Sequence, residues 1–236
     1  MKALFKTITP GAALLFAGTV ALAQQPAAAQ PTAQERVAAL KASFASSAAI
    51  LRQYEWIETT TMFVKGEQKS QQQNRCYYGA DGTVQKVPVA APPPAKEKGG
   101  LRGKIAASKK EEMSEYMKEA VGLVKRYLPP DPAKIQAVKD AGKLAVAPLP
   151  DQKVRLTFSD YVKAGDALAL EMSLANNSLL SAKVATTMDS DKAPVTLAVQ
   201  FAVVDKATYA AQTVLDATGK ELKVTIANSG YRKQAP

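Results

Sequence analysis

The stretch VRLTFSDYVKAGDALALEMSLANNSLLSAKVATTMDSDKAPVTLAVQFAVV, residues 154–204, decides the fold. Its apolar residues recur with a period of two. Val154, Leu156 and Phe158 alternate with Arg155, Thr157 and Ser159, and Leu168, Leu170, Met172 and Leu174 alternate with Ala169, Glu171 and Ser173. Leu180 to Met188 continues the pattern, and Val195, Leu197, Val199, Phe201 and Val203 repeat it. Residues two apart share one face of a strand, so each run offers one apolar and one polar face. The separators are turn chemistry: Ala164-Gly165-Asp166, Asn176-Asn177 and Asp189 to Pro194. Towards the C-terminus, Asp205-Lys206 and Thr218-Gly219 bound two further runs, Tyr209–Leu215 and Leu222–Ile226. Six strands with short connections predict an antiparallel meander with one buried face.

Towards the N-terminus the period changes to that of a helix. Ser108-Lys109-Lys110-Glu111 fits a capping box, and Met113, Tyr116, Met117, Ala120, Val121, Val124 and Leu128 then share one face. Pro129-Pro130 stops the run. Asp131-Pro132 restarts it with an acceptor at the cap and Pro in the first turn, Ile135 and Val138 face inward, and Gly142 ends it. A helical insertion is therefore expected at about 105–142. Residues 90–104 precede it as an exposed loop, with Pro92-Pro93-Pro94, Gly99-Gly100 and the basic residues Lys96, Lys98, Arg102 and Lys104.

A second strand region lies further upstream. Tyr54–Lys65 and Glu67–Tyr78 flank the turn Lys65-Gly66, and Asp81-Gly82 leads into Thr83–Val89. Before them, Thr32-Ala33-Gln34-Glu35 fits a capping box that opens a helix to about Arg52, with Val37, Leu40, Phe44, Ala48 and Leu51 at helical spacing. All of these apolar faces need cover. One core achieves this most simply: a single α+β domain over 32–236, in which a strongly curved antiparallel sheet, a half-barrel, is covered by helices.

The N-terminus has the three parts of a secretory signal. Lys2 and Lys6 are its positive region, Ala12 to Leu22 is uncharged and mostly apolar, and Ala21-Leu22-Ala23 is a small-x-small cleavage site. Residues 1–23 are expected to be removed, with 24–31 as an Ala/Gln/Pro spacer; a second acceptable cleavage site ends at Ala29. The apolar run falls short of the ~20 residues that span a bilayer, and no later segment reaches them. The expected address is the periplasm, with secretion to the medium as the alternative.

The chain carries 31 Lys and Arg against 21 Asp and Glu, a net charge of +10. In an exported protein that excess suits anionic membrane surfaces, and no nucleic-acid motif accompanies it. Histidine is absent and Cys76 is the only cysteine. Their scarcity removes Ser-His-Asp and Cys-His nucleophiles, His general bases, common zinc sites and any disulfide within the chain. No catalytic residue, metal site or cofactor is assigned. Asp189-Ser190-Asp191 lacks the further ligands of a calcium loop. Gly99-Gly100-Leu101-Arg102-Gly103-Lys104 lacks the spacing and the hydroxyl of a phosphate loop.

The order of helix, meander, helical insertion and second meander behind an export signal resembles the periplasmic lipoprotein-carrier half-barrels. That resemblance implies a bent sheet around helices and an apolar cavity for acyl chains. Asp160–Asp166 and Val224–Lys233 also look like segments of a group of exported bacterial proteins with no assigned activity.

These readings give a non-enzymatic protein that binds an apolar or acylated ligand, a lipid or an acylated protein, on the concave face. The expected lining is Trp56, Met62, Phe158, Leu170, Met172 and Phe201, since aromatic and Met side chains suit adaptable apolar sites. Lys96, Lys98, Arg102 and Lys104 are the expected membrane-docking residues. Glu58 shares a strand face with Trp56, Thr60 and Met62, and becomes a buried carboxylate if that face points inward. Two alternatives stand beside this reading: an envelope protein-interaction or sensor module, and a hydrolase using paired carboxylates.

Overall fold

The structure, a computed structural model, describes residues 42–43, 45–89 and 101–234, the first seven of the last span by backbone alone. The signal, the spacer and most of the basic loop, including Lys96 and Lys98, lie outside the described residues.

Among the described residues, ten strands form one antiparallel sheet: β1 (Tyr54–Val64), β2 (Glu67–Tyr78), β3 (Val84–Pro88), β4 (Leu144–Leu149), β5 (Lys153–Ser159), β6 (Ala167–Ser173), β7 (Leu179–Thr187), β8 (Pro194–Val204), β9 (Ala207–Ala217) and β10 (Leu222–Lys233). The spatial order is β3-β2-β1-β10-β9-β8-β7-β6-β5-β4. The three-strand region and the C-terminal meander thus join through β1 and β10, with Glu58 opposite Asn228 and Met62 opposite Val224. The sheet is curved and not closed. Residues 45–51 belong to a helix, α1; the other helices are α2 (Leu101–Val124) and α3 (Pro132–Asp140). The fold class is α+β, as expected.

Local chemistry accounts for the connections. Lys65 and Gly66 both take positive φ, 54° and 74°, and Asp205 and Lys206 do likewise at 44° and 69°. Two-residue turns of this kind match the strand twist, and each joins one antiparallel pair, β1–β2 and β8–β9. The β5–β6 loop folds around the buried carboxylate of Asp166. It accepts the N–H groups of Tyr161, Val162 and Lys163 at 2.6, 3.1 and 2.7 Å and the hydroxyl of Tyr127 at 2.6 Å. Asp131 caps α3 by accepting from Ala133 N–H, with Pro132 in the first turn.

Two expectations need correction. Helix α2 starts at Leu101, so the Ser108 box lies inside it, and Arg102 and Lys104 sit on helical backbone rather than in a loop. Leu, Arg, Lys and Ala are good helix formers, and their summed propensity carries the helix upstream past Gly103. Its other end is Val124, four residues before Leu128: Lys125, Arg126 and Tyr127 continue as turns, and Leu128 is disfavoured from the helical region by Pro129. Strand β4 was not anticipated: its alternation is weak and it contains Pro148, a residue tolerated on edge strands such as this one.

The core lies between the helices and β5–β8 and extends to Leu215 and Ala217 of β9 and Leu222 and Val224 of β10. Phe158, Leu156, Leu168, Leu170, Met172, Val184, Met188 and Val195 are buried against Ala120, Leu123, Val124 and Tyr127 of the α2 segment and Ile135 and Val138 of α3. Polar clamps tie α2 to two turns of the sheet. The Glu119 carboxylate accepts the N–H and hydroxyl of Ser190 at 3.1 and 2.9 Å, Arg126 meets Asp189 at 2.9 Å, and Lys220 pairs with Glu112. Gly219 lies so close beneath Tyr116 that a Cβ there would stand 2.6 Å from its hydroxyl oxygen and 2.5 Å from Asp191 Oδ2.

Candidate functional site

The other half of the concave face is less completely covered. On β1, Trp56, Glu58, Thr60, Met62 and Val64 share the inner face; in register on β10 are Asn228, Ile226, Val224 and Leu222, and on β9 Thr213 and Leu215. Three recesses follow one another along β10. The first, about 1110 Å³, lies between the strand ends and α2, with Met62, Val64, Met113 and Met117 as its apolar lining. The second, about 220 Å³, is bounded by Val121, Val124 and Leu128 on one side and by Leu197, Leu215, Val224 and Ile226 on the other. The third, about 270 Å³, lies under α1, between Ser47 and Leu51 above and Trp56, Tyr78, Phe201 and Tyr231 below.

A bulge builds the third recess. Glu55 pairs with Arg232 and Ile57 with Ser229, so Trp56 opposes two residues of β10, Gly230 and Tyr231. Gly230 takes φ +65°, a conformation that costs an L side chain about 1–2 kcal/mol. The extra residue reverses the alternation of β10, which brings Tyr231 to the inner face beside Trp56. Their rings stack at 5.4 Å with an interplanar angle of 8°. Tyr209 lies 4.1 Å from Tyr231 and Tyr78 5.7 Å from Trp56, centroid to centroid. The indole and amide of this cluster are paired: Trp56 Nε1 donates to Asn228 Oδ1 at 3.1 Å, and Asn228 Nδ2 donates to the Ala210 carbonyl at 2.8 Å. Burial pushes the Tyr231 hydroxyl above the ordinary tyrosine range, with the neighbouring Tyr209 and Tyr78 adding to it. The ring cluster is therefore neutral and apolar in character.

Glu58 points inward and its residue is 9% exposed. It does not face another acid. Lys86 of β3 donates to both carboxylate oxygens, at 2.6 and 2.8 Å, and this ion pair compensates the burial of the charge. A hydrolase built on Glu58 and an opposing inward carboxylate is not what this arrangement supplies. Cys76, on the same side of β2, is fully buried; burial and the Glu58 charge push its thiol up, away from the nucleophilic thiolate. Among the described residues, no group of three or more Asp, Glu or Cys is placed to hold a metal.

The expected lining residues divide into two groups. Phe158, Leu170 and Met172 are buried in the core cluster and line none of the three recesses. Met62 borders the first recess, and Trp56 and Phe201 border the third. Met113, Met117, Val121, Ile226 and Tyr231 line the recesses but were absent from the expectation. The helical spacing of Met113, Met117 and Val121 was visible in the sequence, but not which side of α2 would be left open.

No family model matches this chain, and no curated protein matches it. Three solved structures are similar in fold. A DUF1329 family protein from Desulfovibrio piger superposes with a TM-score of 0.36 at 10% identity, covering 83% of this chain and 93% of that one. A LolA superfamily protein from Nitrosomonas europaea gives 0.36 at 6% identity, over 83% and 94% of the two chains. The MucA/MucB complex from Pseudomonas aeruginosa gives 0.23 at 10% identity, over 85% and 99%.

Proposed function

We propose that this is an exported, non-enzymatic protein of the bacterial envelope that holds an apolar or acylated ligand in the groove between α2 and the concave face of β1, β10 and β9. One observation carries the reading: the recess of about 1110 Å³, charged on part of its lining and apolar at Met62, Val64, Met113 and Met117, continued along β10 by an apolar one of about 220 Å³. Pockets for small molecules run to ~300–1,000 Å³ and are mostly apolar, so the larger recess alone can take an acyl chain. Each Å² of apolar surface removed from water on both partners contributes roughly 25 cal/mol. Methionine at three lining positions suits chains of differing shape, because the thioether side chain repacks at little cost. The chain would lie along β10 with its far end towards Trp56 and Phe201. Export rests on Lys2, Lys6 and the Ala21-Leu22-Ala23 site. The net charge of +10 and the basic residues Lys96, Lys98, Arg102 and Lys104 favour an anionic membrane as the place of exchange.

The test is native mass spectrometry of protein purified from its own compartment, followed by lipid extraction. Bound acyl chains that vanish in a Met117→Trp variant with unchanged circular dichroism are expected. A wild-type protein that carries none, and takes up none from added fatty acids of eight to eighteen carbons, would sink the reading. A second reading, a protein-interaction module, is favoured by the edge strand β3, which with the residue that follows it exposes Val84, Val87 and Val89. Crosslinking pull-downs with these three residues changed to Thr would separate it from the first.

A further inference from the structure

We infer that the groove selects ligands with an anionic headgroup, an acyl-chain lipid whose phosphate is held at the mouth by Lys65, Lys109 and Lys110. The inference rests on the groove being the ligand site. These three lysines line the large recess from two sides, Lys65 from the β1–β2 turn and the other two from α2. The three lysines are exposed, whereas Met62, Val64 and Met113 of the same recess are half-buried. Charge therefore stands on the solvent side, with thioether and aliphatic carbon less exposed, which is the order of groups in an anionic amphiphile.

The charges at the mouth are left open where others on the molecule are matched. Lys143 pairs with Asp160, Arg155 with Glu171, Lys163 and Arg126 with Asp189, and Lys86 with Glu58. Within the recess itself, Glu112 takes Lys220, and Lys69 takes Glu67. Among the described residues, no ion pair includes Lys65, Lys109 or Lys110. The acids of the rim are Glu112, which pairs with Lys220 and also feels the Lys109 charge, and Glu221, so ammonium groups outnumber carboxylates around the recess. An ammonium at such a site keeps its water on one side and can exchange it for phosphate oxygens without breaking an internal contact. Lysine suits a headgroup of varied geometry, because it acts as a point charge on a flexible stem where arginine imposes a planar fork.

The experiment uses the full chain and three ligands that share a twelve-carbon chain: dodecyl phosphate, dodecyl maltoside and dodecyltrimethylammonium, each below its micelle concentration and measured by calorimetry. Dodecyl phosphate is expected to bind about tenfold or more tightly than the neutral ligand, and the cationic one more weakly than either. The preference should shrink between 50 mM and 500 mM salt. In Lys65→Gln/Lys109→Gln/Lys110→Gln, all at exposed positions, the affinity for dodecyl phosphate should fall to that for dodecyl maltoside, which itself stays unchanged. Inorganic phosphate alone should not bind measurably, which distinguishes a lipid phosphate from a free one. Equal affinity for the three headgroups, or a preference that survives in the triple variant, overturns this inference and leaves the groove reading standing. Binding of none of the three overturns both.

Discussion

Strands β5 to β8 and strands β1, β10 and β9 turn the same kind of face to the same side of one sheet. In the first group Phe158, Leu168, Leu170 and Val184 are sealed. In the second Met62 and Val64 of β1, Ala210 of β9 and Ile226 of β10 are only partly buried. The difference comes from the helix above them. On one side of α2, Tyr116, Ala120 and Leu123, followed by Tyr127, are buried in the same cluster as the inner residues of β5–β8. Its other side presents Met113, Met117 and Val121 to a space that no described element fills. Alternation along a strand tells which face is inward. Whether that face is filled depends on where the covering helix settles.

Substitutions can break or sharpen this contrast. Phe158→Ala should have the largest effect, about 3–5 kcal/mol of lost stability, because the packed half cannot collapse around the void; urea unfolding measures it. Tyr127→Phe should cost about 1–3 kcal/mol in the same assay. It removes the hydroxyl bound to Asp166 at 2.6 Å and to Thr186 at 2.8 Å and leaves a buried carboxylate short of one donor. Gly230→Val should cost about 1–2 kcal/mol through its φ of +65°, and should also loosen Trp56, seen as a change in the fluorescence of the single tryptophan. On the open side, Met117→Ala should cost no more than about 1 kcal/mol, since its site is already partly solvated. A penalty equal to that of Phe158→Ala would show the groove to be closed in solution.

The smallest effect concerns pH. Lys163, and then Arg126, hold the Asp189 carboxyl below the ordinary carboxylate range; Lys143 and the Gly165 N–H do the same for Asp160. A carboxyl with a lowered folded-state pKa stabilises above its unfolded value and loses that contribution as pH falls through the folded one. Asp189→Asn should therefore be slightly less stable than the wild type at neutral pH, and the gap should close below about pH 4. A gap that grows on acidification would contradict the assignment.

Much of this architecture is legible in the residues. The period of two from Val154 onward, the turn residues Lys65-Gly66 and Asp205-Lys206, and the Asp131-Pro132 start of α3 are local features with local causes, and short-range sterics and hydrogen bonds decide them. The edge strand β4 escaped because an edge needs only half a ladder and accepts Pro148. The start of α2 escaped because a capping signal marks a possible end, and propensity upstream of Ser108 outweighed it. Both faces of β1 mix apolar and polar residues, so the burial of Glu58 could not be read from the sequence, and its partner Lys86 is 28 residues away, across two strand pairings.

The sequence by itself determined an antiparallel α+β sheet with one apolar face, a basic chain without histidine and with a single cysteine, and the inward residues of the strands that alternate cleanly from Val154 onward. Tertiary structure alone decided which of them meet and which stay apart. Trp56 and Tyr231 stack because β1 pairs with β10 and a bulge at Gly230 reverses the alternation between them. Phe158 and Met172 are core while Met62 lines a groove because α2 lies over one half of the sheet. Period and composition are properties of a single segment, whereas an unfilled volume belongs to the space between segments, and only their packing creates it.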